Sequence, residues 1–151
     1  QRRRQRQMCI RDSIYTDGAC RGNPGDGGWG ALIEYENFSK EIFGGMRDTT
    51  NNQMELQAAI EGLSMLKEPC EVVITTDSKY VMNGITLWIE KWKKNNWKSA
   101  SKKDVKNKDL WIKLDQLTIK HNVKWNWVKG HSGHEKNETA DALANKGIDN
   151  L

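Results

Sequence analysis

The sequence predicts an α/β fold in which a mixed sheet of five strands is flanked by helices. β-prone runs and helical periodicities alternate in the order β-β-β-α-β-α-α-β-α. The first three strands have short connections, which predicts an antiparallel meander, whereas helices before the last two strands imply parallel pairing. A length of 151 residues fits one domain with a single core.

The three strands of the predicted meander cover residues 14–16, 29–35 and 40–46. Between the first two lies RGNPGDGGWG, which we interpret as a flexible glycine-rich turn. Within it, Gly25, Gly27 and Gly30 match the GxGxxG spacing of dinucleotide-binding loops. Because a strand and not a helix is predicted to follow, a dinucleotide site is not supported.

Helical spacing begins at Thr50, where Gln53 three residues later completes a capping-box pattern. Leucine and alanine then recur on one face until Pro69 ends the segment. Residues 72–76 form a compact apolar strand, and Ser78 is placed to cap the next helix. Three further elements are predicted: a helix through residues 110–117, a strand at 123–128 and a helix at 137–146 that ends at Gly147.

The predicted domain spans residues 14–151, and residues 1–13 are treated as a separate arm. Residues 1–6 are nearly all Arg and Gln, which is typical of a disordered segment and, less often, of a nucleic-acid-binding arm. The next residues, QMCIRDS, resemble the in-frame translation of a transposon end used to tag sequencing libraries. We therefore interpret the arm as partly a sequencing artefact.

Composition excludes several classes of protein. The formal charge of +4 is too mild to indicate a partner by itself, and three cysteines without a CxxC pair argue against a zinc knuckle. No apolar run is long enough for a membrane span, and no signal peptide is apparent. We expect a cytoplasmic monomer that needs neither a membrane nor an obligate protein partner.

Four acids occupy positions that simple packing would not favour. Asp17 and Asp77 each end a β-like run, whereas Glu55 lies on the apolar face of its helix and Asp141 lies beside small apolar residues. Each acid alone fits a cap or a surface charge. Together, acids at strand ends and on inward helix faces favour a shared hard cation, Mg²⁺ or Mn²⁺, because burying one carboxylate unpaired is costly.

A basic segment, defined here as residues 91–108, contains eight lysines and a single acid, Asp104. Trp88, Trp92 and Trp97 are interleaved with them. Lysines alternating with aromatic residues indicate nucleic-acid binding, because ammonium groups meet phosphates and rings pack on sugars or bases. The alternative for Trp88 and Trp92 is that they anchor the segment to the fold.

Five blocks of the sequence resemble bacterial type 1 ribonuclease H, in that family's order and over residues 14–148. The blocks are TDGACRGNPGDGGWG, TTNNQMELQAA, ITTDSKYV, WKKNNWKSASKKDVKNKDLW and WVKGHSGHEKNETAD. The resemblance implies a ribonuclease H-like fold with a five-stranded mixed sheet. It also implies endonucleolytic cleavage of the RNA strand of RNA–DNA hybrids, with 5′-phosphate and 3′-hydroxyl products.

Matched by motif, the resemblance assigns catalytic roles to five residues. Asp17, Glu55, Asp77 and Asp141 match the family's metal-binding acids, and His131 in KGHSGH matches its loop histidine. The two-metal scheme implies two Mg²⁺ ions about 3.5–4 Å apart on the scissile phosphate, with Mn²⁺ as the substitute. His131 would handle a proton or assist product release.

The resemblance also implies which residues contact the hybrid. Cys20 and Asn23 would edge its minor groove, where Asn51 and Asn52 would contact bases or 2′-hydroxyls. Thr50 would hold a DNA phosphate, act only as a helix cap, or do both. From the basic segment, the DNA-strand contacts implied are Lys94, Trp97 and Lys98.

Two residues depart from the pattern of the ribonuclease H family, and two alternative functions remain open. Asp104 replaces a frequent proline and is expected to loosen the basic segment, and Thr139 replaces an arginine that would pair with a nearby acid. A non-catalytic hybrid-binding or duplex-RNA-binding module is one alternative, but only a nuclease needs all four acids. The other is a nuclease domain detached from a reverse transcriptase, against which the full basic segment counts.

Overall fold

The computed structural model describes residues 12–35, 38–129 and 135–151. Its strands are β1 (Asp12–Arg21), β2 (Gly25–Tyr35), β3 (Phe38–Thr49), β4 (Glu71–Thr76) and β5 (Asn122–Trp127). Its helices are α1 (Asn51–Ser64), α2 (Lys79–Asn83), α3 (Ile89–Lys94), α4 (Lys108–Lys120) and α5 (Glu135–Asp149), with a π-helical turn, Gly84–Trp88, between α2 and α3. Within the described ranges, no helix has both the length and the apolar character of a membrane span.

The five strands form one sheet in the order β3-β2-β1-β4-β5. β2 pairs antiparallel with both β1 and β3, whereas β4 pairs parallel with β1 and β5. The predicted mixed sheet, an antiparallel meander joined to two parallel strands, is therefore confirmed. Parallel strands need crossover connections, and α1 and the α2–α4 region supply them.

Helices α1 and α5 cover opposite faces of this sheet. A side chain at Gly27 of β2 would point at Met54 of α1, whereas one at the next residue, Gly28, would point at Ile148 of α5. The larger apolar core lies on the α1 side, where α4 adds Trp111 and Leu114, both fully buried. Both helices contact β1 and β2, so the middle of the sheet is covered on its two faces.

The glycine-rich stretch is mostly strand, which corrects the prediction of a flexible turn. The turn occupies only residues 22–24, and β2 begins at Gly25. Any side chain at Gly28 or Gly30 would collide with the backbone of α5. Glycine is used here because α5 packs closely on the strand, and the absence of a helix after Gly30 removes the dinucleotide interpretation.

Two predicted boundaries also change. β1 begins at Asp12, so the domain expected from residue 14 also includes Asp12 and Ser13, which pair with β4. Residues 1–11 lie outside the described residues, so the interpretation of the arm remains a prediction. At the other end, α5 continues to Asp149, and Gly147 is buried inside the helix instead of ending it. A side chain at Gly147 would collide with the carbonyl oxygen of Gly44.

Candidate active site

Two of the predicted acids lie side by side because of the register between neighbouring parallel strands. The pairing of β1 with β4 ends at Thr16 opposite Thr76. Asp17 is the next residue of β1, and Asp77 directly follows the end of β4. β1 continues to Arg21 in its pairing with β2, so the prediction that Asp17 ends a strand is wrong, although its parallel pairing with β4 does end here. Carboxyl ends of adjacent parallel strands meet at one edge of a sheet, which is where ligands bind in α/β folds.

Helix α1 brings the third acid, Glu55, to the same edge. The helix is capped by Thr50, whose Oγ1 accepts a hydrogen bond of 3.2 Å from the backbone N–H of Gln53, which is one half of the predicted capping box. The side chain of Gln53 bonds to Thr49 and Asn107 instead of completing the box. At Gly18 of β1, a Cβ would lie only 2.5 Å from the backbone nitrogen of Glu55. Glycine therefore permits the close approach of α1, and the Gly18 N–H donates a hydrogen bond to the Glu55 carboxylate.

Carboxylate oxygens of Asp17, Glu55 and Asp77 all lie within 4.8 Å of one another. Asp141, from α5, lines the same cavity of about 350 Å³ and is hydrogen-bonded to Asp17. The four acids that sequence reasoning picked out are thus brought together from the middle of β1, the end of β4 and two helices.

The electrostatics of this cluster are unfavourable without a cation. Burial, followed by the charges of Glu55 and Asp77, raises the pKa of Asp17 to about 10. Burial, followed by the charge of Asp77, raises the pKa of Glu55 well above its usual range. No described lysine or arginine forms an ion pair with Asp17, Glu55, Asp77 or Asp141. The carboxylates therefore cannot all be ionised unless another positive charge is present.

The donor set fits a hard divalent cation. Oε1 of Glu55 is buried and has no hydrogen-bond partner among the described residues. An unpaired buried acceptor is costly, and a cation bound in the cavity would satisfy it. The described cluster consists of carboxylates without cysteine or histidine, which suits Mg²⁺ or Mn²⁺ better than zinc.

Beyond the acids, the cavity is lined by Gly18, Asn51, Asn52, Ser78, Lys79 and Tyr80. Asn51 and Asn52 were predicted to face the substrate. Sequence reasoning treated Ser78 only as a helix cap, which it is, since its Oγ accepts from the N–H of Val81 at 3.1 Å. It missed Lys79 and Tyr80, although their position directly after Asp77 in TDSKY could have indicated them.

A chain of hydrogen bonds that the sequence did not reveal links the cavity to the basic segment. Asn107 receives a hydrogen bond from Gln53 Nε2 at 3.1 Å and donates one to Tyr80 Oη at 3.1 Å. Trp111 Nε1 also donates to Tyr80 Oη, at 3.1 Å. Since Gln53 lies on α1 and Tyr80 on α2, Asn107 ties the end of the basic segment to both helices beside the acids.

The two residues predicted at the minor groove lie near the start of α1. Asn23 Oδ1 accepts a hydrogen bond of 3.2 Å from the backbone N–H of Asn51. Cys20 is a free thiol whose Sγ donates to the carbonyl of Gly22 at 2.7 Å. Partial burial raises its pKa, so it is a neutral donor. Asn23 is thus bonded to Asn51, which lines the cavity, whereas the thiol of Cys20 contacts the carbonyl groups of Gly22 and Thr49.

The basic segment is anchored more firmly than predicted. Trp92 packs 5.3 Å from the Trp111 ring, and the half-buried Trp97 lies 6.3 Å from Trp92. The anchoring role considered for Trp88 and Trp92 thus extends to Trp97, whose contact with substrate remains a prediction. Lys94 and Lys98 are exposed.

The two departures from the family pattern have local partners. Asp104 forms ion pairs with Lys98 and Lys108, and its effect on the firmness of the segment remains a prediction. The Thr139 hydroxyl donates to the carbonyl of Glu135 at 3.3 Å. His131 lies in residues 130–134, outside the described residues, and its role remains a prediction.

A family model described as RNase H matches residues 11–149. The chain is similar to the ribonuclease H of Alcanivorax borkumensis, with 64% identity over 138 residues and 91% of each chain covered. It is 63% identical over 137 residues to the ribonuclease H of Francisella philomiragia, covering 91% of this chain and 90% of that one.

Solved structures are similar in fold. LC9-RNase H1, a type 1 RNase H with the type 2 active-site motif, superposes with a TM-score of 0.85 at 32% identity, over 97% of this chain and 75% of that chain. LC11-RNase H1, solved in complex with an RNA/DNA hybrid, superposes with a TM-score of 0.70 at 28% identity, over 92% of this chain and 97% of that one.

Proposed function

The chain belongs to the ribonuclease H family, and we propose that it cleaves the RNA strand of RNA–DNA hybrids endonucleolytically with the help of Mg²⁺. One observation carries the proposal: four carboxylates converge in a cavity where Glu55 Oε1 is buried without a partner among the described residues. A hybrid as substrate is supported by the similar LC11-RNase H1, which was solved with an RNA/DNA hybrid.

Asp17, Glu55, Asp77 and Asp141 are the residues that would hold the metal, as two Mg²⁺ ions when substrate is present, with Mn²⁺ as the substitute. When bound, such ions activate water and stabilise the leaving 3′-oxygen, which gives 5′-phosphate and 3′-hydroxyl ends. Asp17 interacts with the other three acids, so it would be the central ligand of the metal site. Its raised pKa implies that the proton it carries must leave when metal binds.

The remaining residues position the hybrid. Asn51 and Asn52 line the acidic cavity, and Asn23 is hydrogen-bonded to Asn51, so Cys20 and these three residues form a rim suited to the shallow minor groove of the hybrid. Thr50 serves two purposes: its oxygen already accepts the capping bond, which leaves the hydroxyl proton free to be donated to a phosphate.

The basic segment binds the DNA strand in this proposal, through Lys94, Trp97 and Lys98. Lys94 is exposed and ends α3, whereas Trp97 presents only part of its ring because the rest packs on the core. His131 is proposed to handle a proton or to assist product release. All of these groups come from one chain, so we propose that the protein acts as a monomer without an obligate partner.

The test is an assay with labelled RNA–DNA hybrid, duplex RNA and duplex DNA, each with Mg²⁺ or with EDTA. We expect cleavage of the hybrid alone, only with metal, and products that end in 5′-phosphate. Asp17→Asn is expected to lower the rate by about 10²-fold or more, because it removes a ligand that stabilises charge in the transition state. Asp149→Asn, at an exposed site on α5, is the matched control and should cleave at the wild-type rate.

Either of two results would refute this assignment. Hybrid binding without metal-dependent cleavage would instead support the non-catalytic binding module. Full activity in Asp17→Asn would show that the centre lies elsewhere.

A further inference from the structure

The single acid of the basic segment is placed on two of its lysines. Oδ1 of Asp104 lies 2.5 Å from Nζ of Lys98 and 3.7 Å from Nζ of Lys108. The backbones of Lys98 and Asp104 also form an isolated antiparallel β-bridge, which brings the two residues side by side. Backbone geometry therefore keeps the two charged side chains close to each other.

The other lysines of the basic segment differ in whether they form ion pairs with acidic side chains. Lys93 pairs with Asp115 at 3.4 Å. Among the described residues, no ion pair is formed by Lys91, Lys94, Lys102, Lys103 or Lys106. Lys98, one of the proposed DNA-strand contacts, is thus the lysine with the shortest ion pair in the segment.

A carboxylate oxygen between two ammonium groups occupies the position that a phosphate oxygen would take. The hydrogen bond from Lys98, followed by the charge of Lys108, keeps the pKa of Asp104 below its usual range, so it is ionised at neutral pH. The side chains of Lys98 and Asp104 are 48% and 57% exposed. Exposed pairs of this kind are weak and exchange readily for another anion.

We propose that Asp104 sets the affinity of the basic segment for nucleic acid, by occupying Lys98 in the free protein and yielding it to a backbone phosphate when the hybrid binds. The inference rests on the proposed function, because it takes the hybrid as the ligand. Each binding event must then replace one internal ion pair, so this chain binds more weakly and with a shallower salt dependence than its lysine content would indicate.

The experiment measures hybrid binding by fluorescence anisotropy over a range of salt concentrations, in EDTA so that no cleavage occurs. Asp104→Asn keeps the size of the side chain but releases Lys98. We expect it to tighten binding about two- to fivefold, the range for an exposed ion pair. We also expect the slope of log K against log salt to steepen by about 0.9, the value for one additional phosphate neutralised. Asp104→Glu, which retains the charge, should bind as wild type does.

Two controls separate release of Lys98 from a general gain in charge. Asp109→Asn changes the net charge by the same amount at an exposed acid that forms no ion pair within the described residues, and its salt slope should match wild type. Lys98→Gln should itself weaken binding, because it removes a proposed phosphate contact, and it should abolish the gain that Asp104→Asn gives in the wild-type background.

The outcomes distinguish this inference from the proposed function. If wild-type protein does not bind hybrid, both are refuted. If it binds but Asp104→Asn leaves the salt slope unchanged, only the inference is overturned. Weaker binding by Asp104→Asn would overturn it too, because Asp104 would then act solely as a brace. A gain that survives Lys98→Gln would exclude Lys98 as the group released.

Discussion

At the scale of single residues, the site is defined by negative charge that no lysine or arginine within the described ranges pairs with. Asp17 and Glu55 are both buried, the charge of Glu55 opposes the ionisation of Asp17, and the charge of Asp77 opposes the ionisation of Glu55. Sequence periodicity could predict that Glu55 lies on a buried face, because the face depends only on helical geometry. It could not predict the ion pair of Asp104 with Lys98, which depends on a turn that brings residues six apart into contact.

The raised pKa of Asp17 predicts how stability depends on pH without metal. The pKa of an unfolded aspartate is about 3.9, whereas the pKa of folded Asp17 is raised to about 10. At pH values between the two, the folded state therefore binds more protons than the unfolded state. In EDTA, the contribution of Asp17 to the free energy of unfolding should therefore be fully present below about pH 4 and decline as the pH rises toward 10.

Urea denaturation in EDTA at several pH values checks this expectation. Asp17→Asn should be more stable than wild type at neutral pH and should lose less stability as the pH rises, whereas Asp149→Asn should follow wild type. Excess Mg²⁺ should reduce the loss in wild type, because a bound cation favours the ionised carboxylates. Parallel pH curves for wild type and Asp17→Asn would contradict the assigned electrostatics.

At the scale of elements, close contacts between backbones determine where the helices lie. Gly147 of α5 lies against the backbone of Gly44 in β3, and Gly18 allows α1 to approach β1. The sequence pattern suggested a helix end at Gly147, because glycine commonly follows the last helical residue. Packing on the sheet explains the glycine instead, and that packing has no local sequence pattern.

Gly147→Ala should destabilise the protein by about 1–3 kcal/mol, the usual cost of overpacking, although alanine is the better helix former. Ala142→Gly, at an exposed site of the same helix, should also destabilise, by about 1 kcal/mol, through helix propensity alone. Thermal and urea unfolding measure both. A more stable Gly147→Ala variant would show that α5 does not pack this closely on β3.

At the scale of the whole molecule, charge is separated into two regions. The cavity between β1, β4, α1 and α5 is acidic, whereas residues 91–108 carry eight lysines beside it. A phosphodiester chain can cross both only if cations screen the acids and lysines hold the backbone. Deleting the basic segment is a poor test of this, because Val105 and Trp97 help to form the core.

Neutralising four unpaired lysines of the segment is the better test. With Lys91, Lys94, Lys103 and Lys106 changed to Gln, we expect weaker hybrid binding and a salt slope shallower by up to about 3.6, or 0.9 for each phosphate that is no longer neutralised. The matched variant changes Lys40, Lys67, Lys120 and Lys124, which lie outside the segment. Equal salt slopes for the two variants would exclude the basic segment as the phosphate-binding surface.

The sequence alone could predict the strand order along the chain and the four acids, since period and motif are local properties. It missed Asn107, whose hydrogen bonds join segments 54 and 27 residues away in sequence. It also assigned the glycines of β2 to a turn, because glycine signals a turn and a close approach of helices equally well. What it could not supply are contacts between elements, which depend on the packed structure.

The last parallel pair of β1 and β4, Thr16 opposite Thr76, shows what a chain that folds in the wrong strand register would lose. A strand slipped by one residue would turn Asp17 to the opposite face of the sheet, and it would also expel Ile14 from the core, where it is fully buried. The burial of Ile14 and the orientation of Asp17 therefore depend on the same strand register. A chain with the wrong register would therefore lose stability and activity together. A register error of this kind would not produce a stable enzyme with altered cleavage chemistry.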